Sequence, residues 1–209
     1  MQINLLYRCI VKDKNGKIIK RSRWKKSKSF VANFLNLLDG ITNMNAGAVH
    51  TQVTCVSTAN ANVPILVTPS TDNYANYFRH LESYLAMLAL DNDDSYGIQV
   101  GTGTTAPTNS DYALATKIAH GVGAGQLDYG GHSRTSAQVV GSNVDYVISR
   151  SFYNGSGASI TVNEIGIAVA CMNNQGTTYY FLIVRDVITA TAVANTQTLT
   201  VQYTIRTTV

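Results

Sequence analysis

The C-terminal segment alternates apolar and polar residues with the period of two that a β-strand requires. Leu199, Val201, Tyr203 and Ile205 would lie on one face, and the polar residues between them on the other. Such alternation is typical of a half-buried antiparallel strand. Four similar segments precede it, at 134–140, 143–153, 158–171 and 178–188. Short strands separated by turn residues predict a mainly β fold, an antiparallel β-sandwich of the jelly-roll type.

A basic β-hairpin is predicted at the start of the chain. Residues 2–13 alternate as one strand, residues 17–24 form a second, and Asn15-Gly16 lies between them. Asn-Gly favours a two-residue type I′ turn because both residues tolerate positive φ.

One or two helices are predicted beside the strands. The first has helical apolar spacing from Phe30 to Ile41, with Ser29 as its N-cap and Gly40 as its end. The second would cover residues 74–88. The alternative interpretation of these residues is an extended arm that lies on a neighbouring subunit.

These elements divide the chain into a basic hairpin with its amphipathic helix, residues 1–47, and a β-sandwich, residues 48–209. The sandwich would include further strands at 49–58 and 98–100. The apolar stripe of the first helix can pack on the sheet, so the two parts can also form a single domain.

Three details of the sandwich follow from its apolar patterns. Segment 178–188 is apolar on both faces, which predicts a central strand. Segment 158–171 changes phase near Asn163-Glu164, which predicts a β-bulge. Residues 154–157 and 173–176 have the composition of hairpin turns.

Charge is scarce in this chain and unevenly distributed. Charged residues make up 13% of the sequence, against about 25% in an average soluble protein. Residues 1–28 carry a net charge of +9 and the remainder −5. This basic end predicts a docking surface for an acidic partner, with a solvated hairpin face as the alternative. The docking candidates are Arg21, Arg23, Trp24, Lys25, Lys26 and Lys28.

Nucleic acid is a less favoured partner for this end, since its aromatic residues have the spacing of hairpin and helix packing.

Motifs for enzyme chemistry are lacking. Gly101-Thr-Gly-Thr-Thr-Ala106 follows a strand, but Pro107 comes next instead of the helix that a dinucleotide site needs. The candidate metal ligands are Asp91, Asp93 and Asp94, although their segment lacks the glycine and distal glutamate of an EF-hand loop. No catalytic residue, bound metal or cofactor is predicted. Cys9, Cys55 and Cys171 are too far apart for a metal knuckle and are predicted to be small buried residues.

Three charged residues lie inside apolar strands. Glu164 is one, and Arg150 and Arg185 are each candidates to pair with it. A buried structural ion pair is the favoured interpretation over a catalytic acid, because no second carboxylate is placed beside Glu164 by the sequence.

The sequence contains no apolar run near the roughly 20 residues that a membrane-spanning helix needs. Its N-terminus lacks the pattern of a signal peptide. We therefore expect a protein that is made in the cytoplasm and does not enter a membrane.

An ordered series of motifs runs through residues 94–206: Asp94-Ser-Tyr-Gly-Ile-Gln-Val-Gly-Thr-Gly, Arg150-Ser-Phe-Tyr-Asn-Gly, Ile160-Thr-Val-Asn-Glu-Ile-Gly-Ile, Arg185-Asp-Val-Ile and Leu199-Thr-Val-Gln-Tyr-Thr-Ile. Through this series the chain resembles a family of virion structural proteins of tailed phages, which includes tail-associated, fibre and decoration proteins.

The resemblance implies a non-enzymatic subunit of a virus particle, made in the host cytoplasm, that forms a homo-oligomer and docks on capsid or tail proteins. A second hypothesis is a glycan- or receptor-binding module on the same particle, with a host surface glycan as partner and loop residues Tyr129 and Tyr153 as its exposed aromatics. A third, an enzyme, would require a cleft with two facing carboxylates.

Overall fold

The computed structural model describes residues 2–27, 29–42, 52–66, 86–173 and 177–208. Its elements are β1 (Gln2–Lys12), β2 (Ile18–Arg21), β3 (Lys25–Lys26), α1 (Ala32–Thr42), β4 (Gln52–Val56), β5 (Asn62–Leu66), β6 (Gly97–Gly101), β7 (Asp128–Val140), β8 (Asn143–Tyr153), β9 (Ile160–Met172), β10 (Thr178–Val193) and β11 (Thr198–Thr208).

The strands form two main antiparallel sheets and a ribbon, which confirms the predicted mainly β fold. The large sheet has the order β2-β1-β11-β8-β7, and β3 also pairs with β1. The small sheet has the order β10-β9-β6, and β4 pairs with β5 in the ribbon. Side chains from both sheets and the ribbon form one core cluster, as expected for a sandwich.

The first and last strands pair along their whole length. Register runs from Gln2 opposite Thr208 to Lys12 opposite Thr198. The inward side chains of β1 belong to the common core, so the N-terminal hairpin and the sandwich share one sheet and one interior.

The predicted N-terminal hairpin is present, but its turn differs from the expected one. The Gly16 amide donates to the Asp13 carbonyl (3.0 Å), and Gly16 has a φ of 80°. The Asp13 carboxylate accepts from the amides of Asn15 and Lys17. The loop inside the Asp13–Lys17 pair therefore has three residues, 14–16, and ends in a glycine with positive φ, whereas the predicted type I′ turn has two.

Helix α1 is shifted relative to the predicted helix. It begins at Ala32 and passes Gly40 to end at Thr42. Ser29 is not the cap, because its carbonyl accepts a hydrogen bond from the Arg185 amide (3.1 Å), and Phe30 bridges to the same strand. Backbone pairing with the edge of β10 therefore delays the start of the helix.

Within the helix, Asn33 connects three elements. Its side-chain amide donates to the carbonyls of Val56 (2.8 Å) and Leu182 (3.1 Å), and its oxygen accepts from the Val56 amide. Leu37 packs into the core, whereas Leu35 is 62% exposed.

The second predicted helix falls mainly on residues 67–85, which lie outside the described residues. Only its last part is described, and there Ala86 forms an isolated bridge with Ala170 of β9 instead of a helical turn.

Three predictions for the sandwich need correction. The central strand of the small sheet is β9 and not β10, whose outer edge is covered at residues 183–185 by the segment before α1. The irregularity predicted at Asn163-Glu164 is present, but residues 188–190 of β10 lie opposite Asn163 alone, so the two extra residues are on β10. Residues 154–157 form no hairpin, because they connect β8 of the large sheet to β9 of the small sheet.

Candidate functional site

The large sheet ends in a row of cations, called here the basic edge: Lys20, Arg21, Arg23, Lys25 and Lys26. Four of them are supplied by β2 and β3, which pair with different parts of β1 and are exposed along their length. The docking candidates thus lie on one strand edge, except for Lys28, which is outside the described residues.

Trp24 lies within this row and is 39% exposed. The guanidinium of Arg8 lies over its ring, 4.3 Å from the centroid, in a cation–π contact. Arg8 also donates through Nε to Gln202. Burial lowers the pKa of Arg8, and the nearby charge of Arg21 lowers it further.

A cleft of about 260 Å³ opens beside the basic edge, between β1 of the large sheet and β10 of the small sheet. Tyr7, Cys9 and Ile188 form its floor, and all three are largely buried. The cations of the basic edge on its rim are Lys20, Arg23 and Lys25.

Thiolate chemistry is not available in this cleft. Burial raises the pKa of Cys9 to about 12, despite the nearby charges of Lys25 and Lys20. The thiol therefore stays protonated and acts as an apolar surface. Burial, followed by the negative charge of Asp186, likewise raises the pKa of Tyr7 to about 12.

The rim cations lack acidic partners within the described ranges, where every recorded ion pair involves other residues. Lys25 donates only to a neutral group, the hydroxyl of Thr189, at 2.8 Å. The rim is therefore a concentration of unbalanced positive charge.

The interior, in contrast, holds a network in which one arginine is paired with two carboxylates. Arg185 donates from Nε to Glu164 (2.8 Å), from one terminal nitrogen to Asp111 (2.7 Å) and from the other to the Thr105 carbonyl (2.9 Å). Glu164 is fully buried and also accepts backbone amides from Gly103 and from residues 115–116. Its carboxylate is thus satisfied on both oxygens.

This network holds the loop of residues 102–117 against the small sheet. Burial raises the pKa of Asp111, but hydrogen bonds from Thr108 and Arg185 outweigh that effect and leave the pKa below its usual range. Burial lowers the pKa of Arg185, but its bonds to Asp111 and Glu164 outweigh that effect and raise it. Each partner therefore favours the charged form of the other.

The same network explains the glycines of the 101–106 segment. A Cβ on Gly101 would lie 2.5 Å from Glu164 Oε1, and one on Gly103 would lie 2.4 Å from it. The glycines make room for a buried carboxylate, and no helix follows them that could bind a pyrophosphate.

Arg150 does not pair with Glu164. It is 1% exposed, and its guanidinium stacks on Tyr129 at 4.8 Å from the ring centroid. Its donors all reach backbone carbonyl oxygens, those of Leu90, Asp93, Tyr96, Ile98 and Gly130. Burial lowers the pKa of this arginine, against the opposing charges of nearby acidic groups.

The three acidic metal candidates lie in the loop that surrounds Arg150. Asp93 accepts the Ser95 amide, and Asp94 pairs with Lys117 (3.1 Å) and accepts the His120 amide. Among the described residues, no group of three or more metal-binding side chains comes together. The carbonyls of this loop bind a guanidinium, and the carboxylates of Asp93 and Asp94 are occupied by protein donors.

Tyr129 and Tyr153, the aromatics of the glycan hypothesis, differ in exposure. Tyr129 is fully buried, and its hydroxyl donates to the Ile118 carbonyl at 2.6 Å. Tyr153 is 39% exposed beside a shallow depression lined by Ser151 and the threonines of β11. Tyr129 cannot contact a glycan from this position.

Sequence reasoning missed Asp111 and the cleft. Asp111 is partly exposed and lies in an irregular loop, where no periodic pattern indicates that it contacts Arg185. The cleft depends on Ile188 and Thr189, which are adjacent to β1 only because the two sheets meet there.

A scan of protein-family models, a search of curated proteins and a search of solved structures found no match to this chain. Within the part of the chain that the structure describes, no helix has the length and apolar character required to cross a bilayer.

Proposed function

We propose that this chain is a structural subunit of a tailed-virus particle, which self-associates and docks on other capsid or tail proteins. The observation that carries the proposal is the contrast between the two edges of the large sheet. One edge is strongly basic, and the other has almost no charge and presents exposed valines.

The low-charge edge is β7, which ends the strand order of the large sheet. All its residues from 133 to 140 apart from Arg134 are uncharged, and the whole stretch is exposed. Exposed edge strands favour pairing with another chain unless charges protect them. This edge therefore supports self-association.

The tip of the β7–β8 hairpin adds an apolar surface. Val139 is 79% exposed and Val140 53%, and Val144 lies beside them on β8. A bulge between Thr135 and Gln138 interrupts the ladder just before the tip. Apolar contact through these valines is thus the expected mode of association, with strand pairing limited to short stretches.

The basic edge supports docking on a different, acidic surface. Like charges would repel two copies brought together along this edge, so it is unsuited to self-pairing. Elsewhere the polar, weakly charged surface can form wide interfaces without burying many unpaired charges, each of which costs several kcal/mol.

Size-exclusion chromatography with light scattering on the full chain tests this proposal. We expect a discrete oligomer that dissociates when Val139→Lys and Val140→Lys are introduced together. A matched variant with Lys20→Gln and Lys26→Gln should keep the oligomer. A monomeric wild-type protein, or an oligomer indifferent to the valine changes, would count against the proposed assembly.

A glycan-binding role is the second candidate, and Tyr153 is the observation that favours it. An exposed aromatic ring beside serine and threonine hydroxyls offers both stacking and hydrogen bonds to a sugar. A glycan array would test it: binding that disappears in Tyr153→Ala supports this role, and an array without any binding removes it.

A further inference from the structure

The cleft beside the basic edge owes its shape to an irregularity in β10. Val187 pairs with Glu164 and Thr191 with Val162, so residues 188–190 of β10 face a single residue of β9. Extra residues in one strand redirect side chains out of the regular ladder. Here they place Ile188 in the cleft floor and Thr189 beside Lys25, with 2.8 Å between the Thr189 hydroxyl and Lys25 Nζ.

The size and lining of the cleft indicate what it can accept. Its volume of about 260 Å³ is below the roughly 300–1,000 Å³ typical of sites for small molecules and cofactors. An apolar side chain of a protein segment is a better match for a floor made of Tyr7, Cys9 and Ile188.

The charges on the rim of the cleft indicate which groups should lie on either side of the bound apolar side chain. Lys20, Arg23 and Lys25 surround the opening without acidic partners among the described residues. Carboxylates on either side of the apolar residue would balance these cations.

A single-stranded nucleic acid fits less well. Base stacking requires an accessible aromatic face, and one face of Trp24, the aromatic residue in this row, is covered by the guanidinium of Arg8.

We propose that this cleft binds an acidic segment of a partner protein, with one apolar side chain over Ile188 and carboxylates on Lys20, Arg23 and Lys25. This inference rests on the proposed docking function and names the chemistry of the docked segment. It requires no covalent step and no cofactor.

Fluorescence anisotropy with the full chain tests the inference. The probe is a fluorescein-labelled peptide, Gly-Asp-Glu-Leu-Asp-Glu-Gly, and its control carries glycine in place of leucine. A labelled oligothymidylate is the third probe. The protein variants are the pair Arg23→Gln with Lys25→Gln, on the rim, and the pair Lys14→Gln with Lys17→Gln, which removes equal charge from the exposed β1–β2 turn.

We expect saturable binding of the leucine peptide, weakened about tenfold by the rim pair and about tenfold by loss of the leucine, each equivalent to about 1.4 kcal/mol. The turn pair should change the dissociation constant by less than about twofold. Thermal melts of both variants would verify that they are folded.

If the rim pair and the turn pair of substitutions weakened peptide binding equally, or if the leucine and glycine peptides bound with equal affinity, the cleft would not be the binding site. Tighter binding of the oligothymidylate than of the peptide would overturn the choice of partner. Absence of peptide binding by a protein that forms the discrete oligomer would reject the cleft alone and leave the assembly proposal in place.

Discussion

The buried charges and the charges of the basic edge differ in how they are satisfied. Inside the sandwich, Arg150 and Arg185 use their donors on defined oxygens, and Glu164 is saturated with donors. On the basic edge, Lys20, Arg23 and Lys25 meet no acid within the described residues. In a chain with so few charges, the first group fixes loops on the fold, and the second is suited to bind another molecule.

A further difference exists within the buried group. Arg185 is neutralised by two carboxylates, whereas Arg150 contacts only carbonyl dipoles and an aromatic face. Removing Glu164 would leave Arg185 paired with Asp111 alone and would take an acceptor from the backbone amides of Gly103 and residues 115–116. Removing Arg150 leaves only carbonyl oxygens without a donor.

The largest effect is expected for Glu164→Ala. It removes one of the two carboxylates that Arg185 contacts and leaves three backbone amides without an acceptor, so the free energy of unfolding should fall by about 4 kcal/mol. Urea denaturation measures this change. Asp145→Ala, which removes the partially exposed pair with Arg206, should cost about 1 kcal/mol or less. Equal losses in the two variants would contradict the role given to the buried network.

Arg150→Met should have the next largest effect, about 3 kcal/mol, because carbonyl oxygens lose their donor while no buried charge remains. Hydrogen exchange should show that protection is lost first around residues 90–98, since four of the five carbonyls belong to this segment. Lys17→Met in the exposed β1–β2 turn is the control and should leave both measurements unchanged. A uniform loss of protection across both sheets would show that Arg150 does not act locally.

Gly103→Ala is expected to cost about 2 kcal/mol, because its new methyl group overlaps the Glu164 carboxylate. In a Glu164→Ala background the same change should cost less, since the obstructing carboxylate is gone, while the close approach to the Ala115 Cβ at 2.8 Å remains. Four urea melts complete this double-mutant cycle. An unchanged cost in the second background would place the strain elsewhere.

A pH effect should come from His132. Burial lowers its pKa from 6.5 to about 4, assisted by the charge of Arg150. The ring accepts from the Ile98 amide (2.8 Å) and contacts the Ala89 carbonyl (3.0 Å), so it is held neutral. Between these two pKa values the unfolded chain binds a proton that the folded chain does not.

Stability from this group is therefore complete above pH 6.5 and declines as the pH falls towards 4. Allowing for partial exposure, the loss should be about 1–2 kcal/mol. Denaturation series at several pH values would measure it, and His132→Gln should flatten the slope in this window. A wild-type slope that survives this substitution would assign the effect to other groups.

The smallest effect on stability is expected at the basic edge. Replacing Lys20, Arg23 and Lys25 together with Gln should change the free energy of unfolding by less than about 0.5 kcal/mol. The same variant should lose docking to acidic probes. If this triple variant were destabilised as much as Glu164→Ala, the proposed difference between the buried charges and those of the basic edge would be contradicted.

Sequence patterns predicted the parts of this molecule that depend on periodicity. The alternation in β11 corresponds to a strand, and the basic composition of residues 20–26 corresponds to the charged edge. Of the two candidate partners of Glu164, Arg185 pairs with it and Arg150 does not. The pattern of charged residues in apolar strands indicated a buried pair but not which arginine forms it.

Other features could not be inferred because they depend on backbone groups or on contacts between sheets. Arg150 donates to backbone carbonyl oxygens, which every residue has, so the sequence does not indicate which residues are its partners. Segment 178–188 is apolar on both faces, which predicted a central strand. In the structure β10 is an edge strand, and the segment before α1 covers its outer edge. The cleft requires Ile188 and Tyr7 to meet across two sheets.

Native mass spectrometry of the unmodified full chain, recorded over a wide range of protein concentration and salt, tests the assembly claim most directly. We expect one discrete oligomer that persists at high salt, because the β7 contact is apolar and the basic edge remains free. A monomer under all these conditions would contradict it.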